Sequence, residues 1–236
     1  SCISLPFFFL LRKLFLKASG NKIDMFMLAW PLVGFLTSSI GLLLVTNTLQ
    51  SGRLIKDAQY DEVFSSSARN RMTVDTLKSS LSSKRDFTQL FLRCPAPSTT
   101  DSECAGPYDG HLLDLGVCAP LSKFISNRLF GPGDWAGKKF EENAGTNLFL
   151  GAASNTPVEA KRFACCVENS VLDNQPILSL NYAPYNKIID PVAWGMRDEI
   201  RKVNSNLLIG CGGLAVSGGV RNFAPFALVP AKRKEK

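Results

Sequence analysis

Phe130-Gly-Pro-Gly-Asp-Trp-Ala-Gly137, running into Lys138-Lys-Phe140, is the stretch whose reading decides the fold of the larger part of this chain. Its glycines and proline make a tight turn, and no helix continues through it. Short apolar runs follow at Thr146–Leu150, Lys161–Val167, Pro176–Tyr182, Lys187–Ile189, Glu199–Val203, Leu207–Cys211, Leu214–Val216 and Phe223–Val229. Turn-forming residues punctuate them, among them Asn155-Thr-Pro157, Asp173-Asn-Gln-Pro176 and Ser217-Gly-Gly219. Strands this short and this evenly spaced predict an antiparallel meander closing into a barrel or half-barrel over residues 106–230. A βαβ alternative fails, because no helix-length periodic segment separates the runs.

Upstream the texture changes. Gly106-Pro-Tyr-Asp-Gly110 reads as a turn, and Ala119–Leu129 has a helical period. Residues 53–105 read as a polar connector, helical in pieces, with Val74, Leu77, Leu81, Phe87, Leu90 and Phe91 at near-helical intervals. Met25 to Gly52 carries no charge at all. A bilayer core needs about 20 apolar residues, so 23–52 predicts one transmembrane helix. Gly34, Ser38 and Gly41 within it would let a partner helix approach. In residues 1–22, phenylalanines and leucines surround Arg12, Lys13 and Lys17. That pattern predicts an interfacial amphipathic helix with those cations on lipid head groups. Residues 231–236 form a basic tail. The expected class is therefore an α+β membrane protein: two N-terminal helices, then a mainly antiparallel β domain.

The formal charge is +7, from 27 Lys and Arg against 20 Asp and Glu. The cations are scattered and not interleaved with aromatics, which argues against nucleic acid as a partner. One histidine, His111, and the absence of any C-x-x-C exclude a zinc-type metal site and a His-dependent triad. Cys94 and Cys104 flank a loop that a disulfide could close. Gly210-Cys-Gly-Gly-Leu-Ala-Val-Ser-Gly-Gly219 lacks the Gly-Lys-Ser/Thr ending of a phosphate loop, and a glycine-kinked strand is expected. Asp198-Glu199 and Glu141-Glu142 are adjacent carboxylates that point apart on a strand, each expected in solvent. No catalytic residue and no intrinsic cofactor is assigned.

Tyr108-Asp-Gly110, Arg128-Leu-Phe-Gly131, Trp135-Ala-Gly-Lys-Lys-Phe140 and Gly145-Thr-Asn-Leu-Phe149 together resemble the small barrels of the lipocalin-like (calycin) kind. Gly133-Asp-Trp135 matches their Gly-x-Trp, and there is also an echo of domains with a Gly-x-Trp-x-Gly signature. The resemblance spans roughly 108–229. It departs from the family in that the motif comes late in the chain, where the runs that follow need not make up a full eight-stranded barrel. It implies a barrel whose interior can hold an apolar ligand such as a lipid or pigment. Trp135, Phe140, Phe163 and Tyr182 would line that interior, and Arg197 would meet a head group.

The function expected from this architecture is a non-catalytic accessory subunit of a large organellar membrane complex. A respiratory-chain complex of the mitochondrial inner membrane is favoured, and a thylakoid photosystem is the rival. Other subunits and membrane lipids are the expected partners. The alternative is a membrane-tethered binder of a lipid or pigment in the barrel.

Overall fold

The computed structural model describes residues 41, 65–97, 104–115, 119–124, 126–127, 130–151, 156–187, 190, 195–215 and 218–231. Its centre is a closed antiparallel barrel of eight strands in simple sequential order. These are β1 (Gly106–Leu112), β2 (Asp134–Phe140), β3 (Ala144–Leu150), β4 (Val158–Asn169), β5 (Pro176–Asn181), β6 (Met196–Asn204), β7 (Leu207–Leu214) and β8 (Ala224–Pro230). β8 closes on β1, with Gly110 opposite Leu228 and Leu112 opposite Phe226. Closure leaves no free sheet edge.

This corrects the expected class. The described chain is mainly β with short helices, and among the described residues no helix is long and apolar enough to cross a membrane. A single-pass organellar membrane protein is therefore not supported. The segments read as interfacial helix and span lie outside the described residues, with Arg12, Lys13, Lys17, Gly34 and Ser38. Of that stretch only Gly41 is described; it is helical and exposed, and a Cβ there would meet nothing within 4 Å.

The barrel is complete because two glycine-rich stretches that read as turns are strands. Gly110 passes so close to the Trp135 ring that a Cβ would lie 2.6 Å from it, and β1 can pack there only as glycine. Gly137 sits at φ +148° at a register shift, against the Tyr108 carbonyl. One extra residue at that bulge changes the alternation of side chains. Trp135 and Lys138, three apart, consequently both face the interior.

Inside the barrel, Tyr108, Phe140, Phe163, Leu178, Leu180, Ile200, Leu208, Phe226 and Leu228 form one core. A second core lies between the outer face of the sheet and a helical layer. Helices α1 (Ser66–Asn70), α2 (Val74–Ser80) and α3 (Lys84–Arg93) come from the segment read as a connector. α3 begins at Ser83, whose hydroxyl accepts the Asp86 amide. Its Phe87, Leu90 and Phe91 form an i, i+3, i+4 stripe. It stops at Cys94, before Pro95. That stripe and Leu77 bury against Ile177, Val203, Ile209, Cys211 and Ala227. β6 is consequently covered on both faces. A fourth helix, α4 (Ala119–Phe124), follows β1.

Arg201 fastens this layer. It is 1% exposed on the outer face of β6. Nη1 donates to the Phe91 carbonyl at 3.1 Å and to the Leu92 carbonyl at 3.0 Å, and Nη2 donates to Asp173 at 2.6 Å. The guanidinium lies 4.9 Å from the centre of the Phe91 ring. The carbonyls at the end of a helix have no partner within it, and Arg201 supplies one.

Candidate functional site: a charged network on the wall of a barrel cavity

Lys138 points inward from β2, opposite Asn147 of β3. The ammonium makes three hydrogen bonds, one for each proton. It donates to Asp198 Oδ2 at 2.7 Å, to Tyr182 Oη at 2.7 Å and to Asn147 Oδ1 at 2.8 Å. Tyr182 donates its hydroxyl proton to the same Asp198 oxygen at 2.8 Å. Asn147 donates to the Tyr182 hydroxyl at 3.2 Å and to the Lys161 carbonyl at 3.1 Å, and its oxygen also accepts the Trp135 indole N–H at 3.0 Å. Four aromatic rings surround the ammonium, with centres at 5.1 to 5.7 Å. A buried ion pair offsets its desolvation cost best when its remaining donors and acceptors are satisfied, and here one atom is not. Asp198 Oδ1 is buried without a hydrogen-bond partner.

Burial among the rings lowers the Lys138 ammonium from its usual 10.5, and Asp198 opposes that shift. Burial raises the Tyr182 phenol well above 10.0, and the Asp198 carboxylate adds to it. Tyr182 therefore stays a neutral donor.

A cavity of about 120 Å³ adjoins this network. Phe130, Trp135, Phe226, Leu112, Met196 and Leu214 supply its apolar wall, and Ser126, Lys138, Asp198, Gly212 and Asn222 lie on it as well. Gly212 pairs with Asp198 across β6 and β7. A Cβ on Gly212 would stand 3.0 Å from Asp198 Oδ1, so the free oxygen faces the space this glycine leaves.

The residues singled out from sequence divide. Trp135 lines the cavity, and Tyr182 belongs to the network. Phe140 and Phe163 fill the barrel core beside it. Arg197 is on the outer face, 3.4 Å from Glu168 and 3.3 Å from Glu199, and does not line this cavity. Cys94 and Cys104, expected to bridge, are set in different cores, and Cys94 carries a free thiol. Cys94 is buried in the helix–barrel layer, whereas Cys104 packs against the interior core. Lys138, Asn147 and Gly212 carried no sequence signal. Asp198 and Glu199, expected in solvent, are 1% and 0% exposed. Asp198 is inside the barrel. Glu199 is outside it, under the Val171 amide and the Ser170 hydroxyl. Among the described residues no group of three or more His, Cys, Asp or Glu could hold a metal ion.

The buried thiols and Tyr182 make a pH prediction. Burial pushes Cys94 up to about 11 and Cys165 up to about 12, and raises Cys211 well above its usual value. Each keeps its proton in the fold where the unfolded chain loses it, so unfolding releases protons and stability falls as pH rises. The contribution is whole below pH 9, and for Cys94 it is gone near 11. Lys138, lowered, works in the opposite direction but is one group against four. A rise from 9.0 to about 11 corresponds to about 3 kcal/mol. Urea unfolding at pH 8, 9, 10 and 11 is expected to show a midpoint falling steadily above 9. A flat or rising midpoint would refute this account of the thiols.

No protein-family model matches the sequence, and a search of curated proteins finds no match. A crystal structure of a protein from Thermomonospora curvata is similar at a TM-score of 0.43 and 14% identity, over 70% of this chain and 93% of that one. A likeness this distant carries no argument about function.

Proposed function

We propose that this protein binds a small, largely apolar molecule inside its barrel. The observation that carries the reading is the aromatic cavity above the Lys138–Asp198–Tyr182 network. Eight-stranded barrels are either filled by side chains or hold one small ligand. A buried charged pair is an expensive way to fill a core, since packed hydrophobic residues commonly do as well or better. Its presence on a cavity wall is more naturally a recognition element. The lipocalin-like resemblance points the same way. Size narrows the ligand: a cavity of about 150 Å³ admits benzene, so this one suits a single ring and not a lipid or a pigment. The accessory-subunit role drew on a span and an interfacial helix, and no observation among the described residues favours it.

Toluene tests the reading. Titration followed by the Trp135 indole N–H resonance, assigned with Trp135→Phe, is expected to saturate at one molecule per chain. Ala224→Leu, which fills the cavity from β8, is expected to abolish the response while the barrel remains folded. A resonance that never moves, or moves identically in Ala224→Leu, would sink the proposal.

A further inference from the structure

Resting on that reading, we infer that the ligand is a neutral alcohol or phenol, held by donation of its hydroxyl proton to Asp198 Oδ1. The network leaves bonding capacity unused. All three Lys138 protons are committed, to Asp198, Tyr182 and Asn147. The single Tyr182 proton is committed to Asp198 Oδ2. What the network leaves over is one acceptor, Asp198 Oδ1, on a side chain 2% exposed. A buried carboxylate oxygen without a donor is costly. Solvent entering the cavity can serve it, but an apolar ligand that displaces the solvent and brings no donor leaves it bare.

Charge then selects among donors. Lys138 and Asp198 already cancel, so the site asks for no further charge. A carboxylate or phosphate would set an anion against the free oxygen and find no Lys138 proton to accept. An ammonium would have to shed its hydration into an aromatic cavity beside the Lys138 cation, and desolvating an ion costs far more than desolvating a hydroxyl. A neutral hydroxyl on a ring satisfies the oxygen, and its body fits against Phe130, Trp135 and Phe226.

Gly212 sets this specificity. It is the residue whose missing side chain gives access to Asp198 Oδ1, with the nearest atom to a Cβ being that oxygen itself at 3.0 Å. In Gly212→Ser the new hydroxyl can donate to the same oxygen from within the protein.

The test compares four single-ring probes on the full chain: toluene, p-cresol, benzylamine and benzoate. In the wild type p-cresol is expected to bind at least tenfold more tightly than toluene, and benzylamine and benzoate no more tightly than toluene. In Gly212→Ser, shown to be folded by its melting transition, the p-cresol advantage is expected to fall to about unity. Equal binding of toluene and p-cresol would overturn the inference while leaving the binding function in place. Benzylamine or benzoate binding tighter than p-cresol would overturn it in favour of a charged ligand. Failure of all four probes would remove the binding function and this inference together.

Discussion

Lys138→Met is expected to lower the stability of the fold by about 3–5 kcal/mol, the range found when one partner of a buried ion pair is removed. The side chain is of similar length and the site is apolar, so packing is nearly conserved. What changes is charge. Asp198 keeps its carboxylate inside the barrel with the Tyr182 hydroxyl as its remaining donor, and Asn147 loses a strong donor at 2.8 Å. Adding Asp198→Asn removes the stranded charge and retains an acceptor for Tyr182. The double variant is therefore expected to recover at least half of the loss. Urea denaturation of the two single variants and the double variant measures this cycle. A loss under about 1 kcal/mol in Lys138→Met, or no recovery in the double variant, would mean the pair is not buried together.

Arg201→Leu is expected to cost about 3–4 kcal/mol by a different route. The leucine can pack on the outer face of the barrel, but the Leu92 carbonyl at the end of α3 loses the Arg201 donor, the Phe91 carbonyl keeps only the Cys94 amide, and Asp173 keeps only the Gln175 amide and loses its charged partner. Each unmade bond of this kind costs about 1–3 kcal/mol. Arg201→Lys is expected to recover only part of the loss, because an ammonium has no planar fork to meet the two carbonyls and the carboxylate in the directions the guanidinium does. Amide hydrogen exchange separates this effect from a general weakening. The amides of Phe87 to Arg93 should lose protection in Arg201→Leu by more than those of β3, which lies outside this contact. Uniform loss across both would show that Arg201 does not fasten the helical layer.

Much of the barrel could be read from the chain because its later strands announce themselves. Pro176–Asn181, Leu207–Leu214 and Ala224–Pro230 are apolar, short and bounded by turns. β1 was illegible because Gly106, Pro107, Asp109 and Gly110 are turn residues everywhere else. The approach of Trp135 explains Gly110, and Gly106 sits at φ +117°. The start of β2 was hidden by the bulge at Gly137, which breaks strict alternation. The span expected from Met25 to Gly52 rested on apolarity alone, and the described helices do not include one able to cross a membrane.

The candidate site was harder still to see. Lys138-Lys139 and Asp198-Glu199 look like ordinary surface charge. In each pair one member faces the interior and the other does not: Lys139 pairs with exposed Glu159 at 2.7 Å, while Lys138 meets Asp198 sixty positions away. Alternation states that neighbours face opposite ways, but it does not say which way is in when helices cover the outer face as well. Tyr182 and Trp135 were found because aromatic side chains announce burial. Their polar partners were not, because a buried lysine or aspartate has no local signature. Gly212 is visible only as an absence, once the strand opposite it is known.

A crystal structure of the protein grown with p-cresol tests the central claim most directly. The account expects an eight-stranded closed barrel with one ring between Phe130, Trp135 and Phe226, its hydroxyl within hydrogen-bond distance of Asp198 Oδ1. An empty cavity at saturating p-cresol, or Asp198 Oδ1 bonded to a donor of the protein itself, would contradict it.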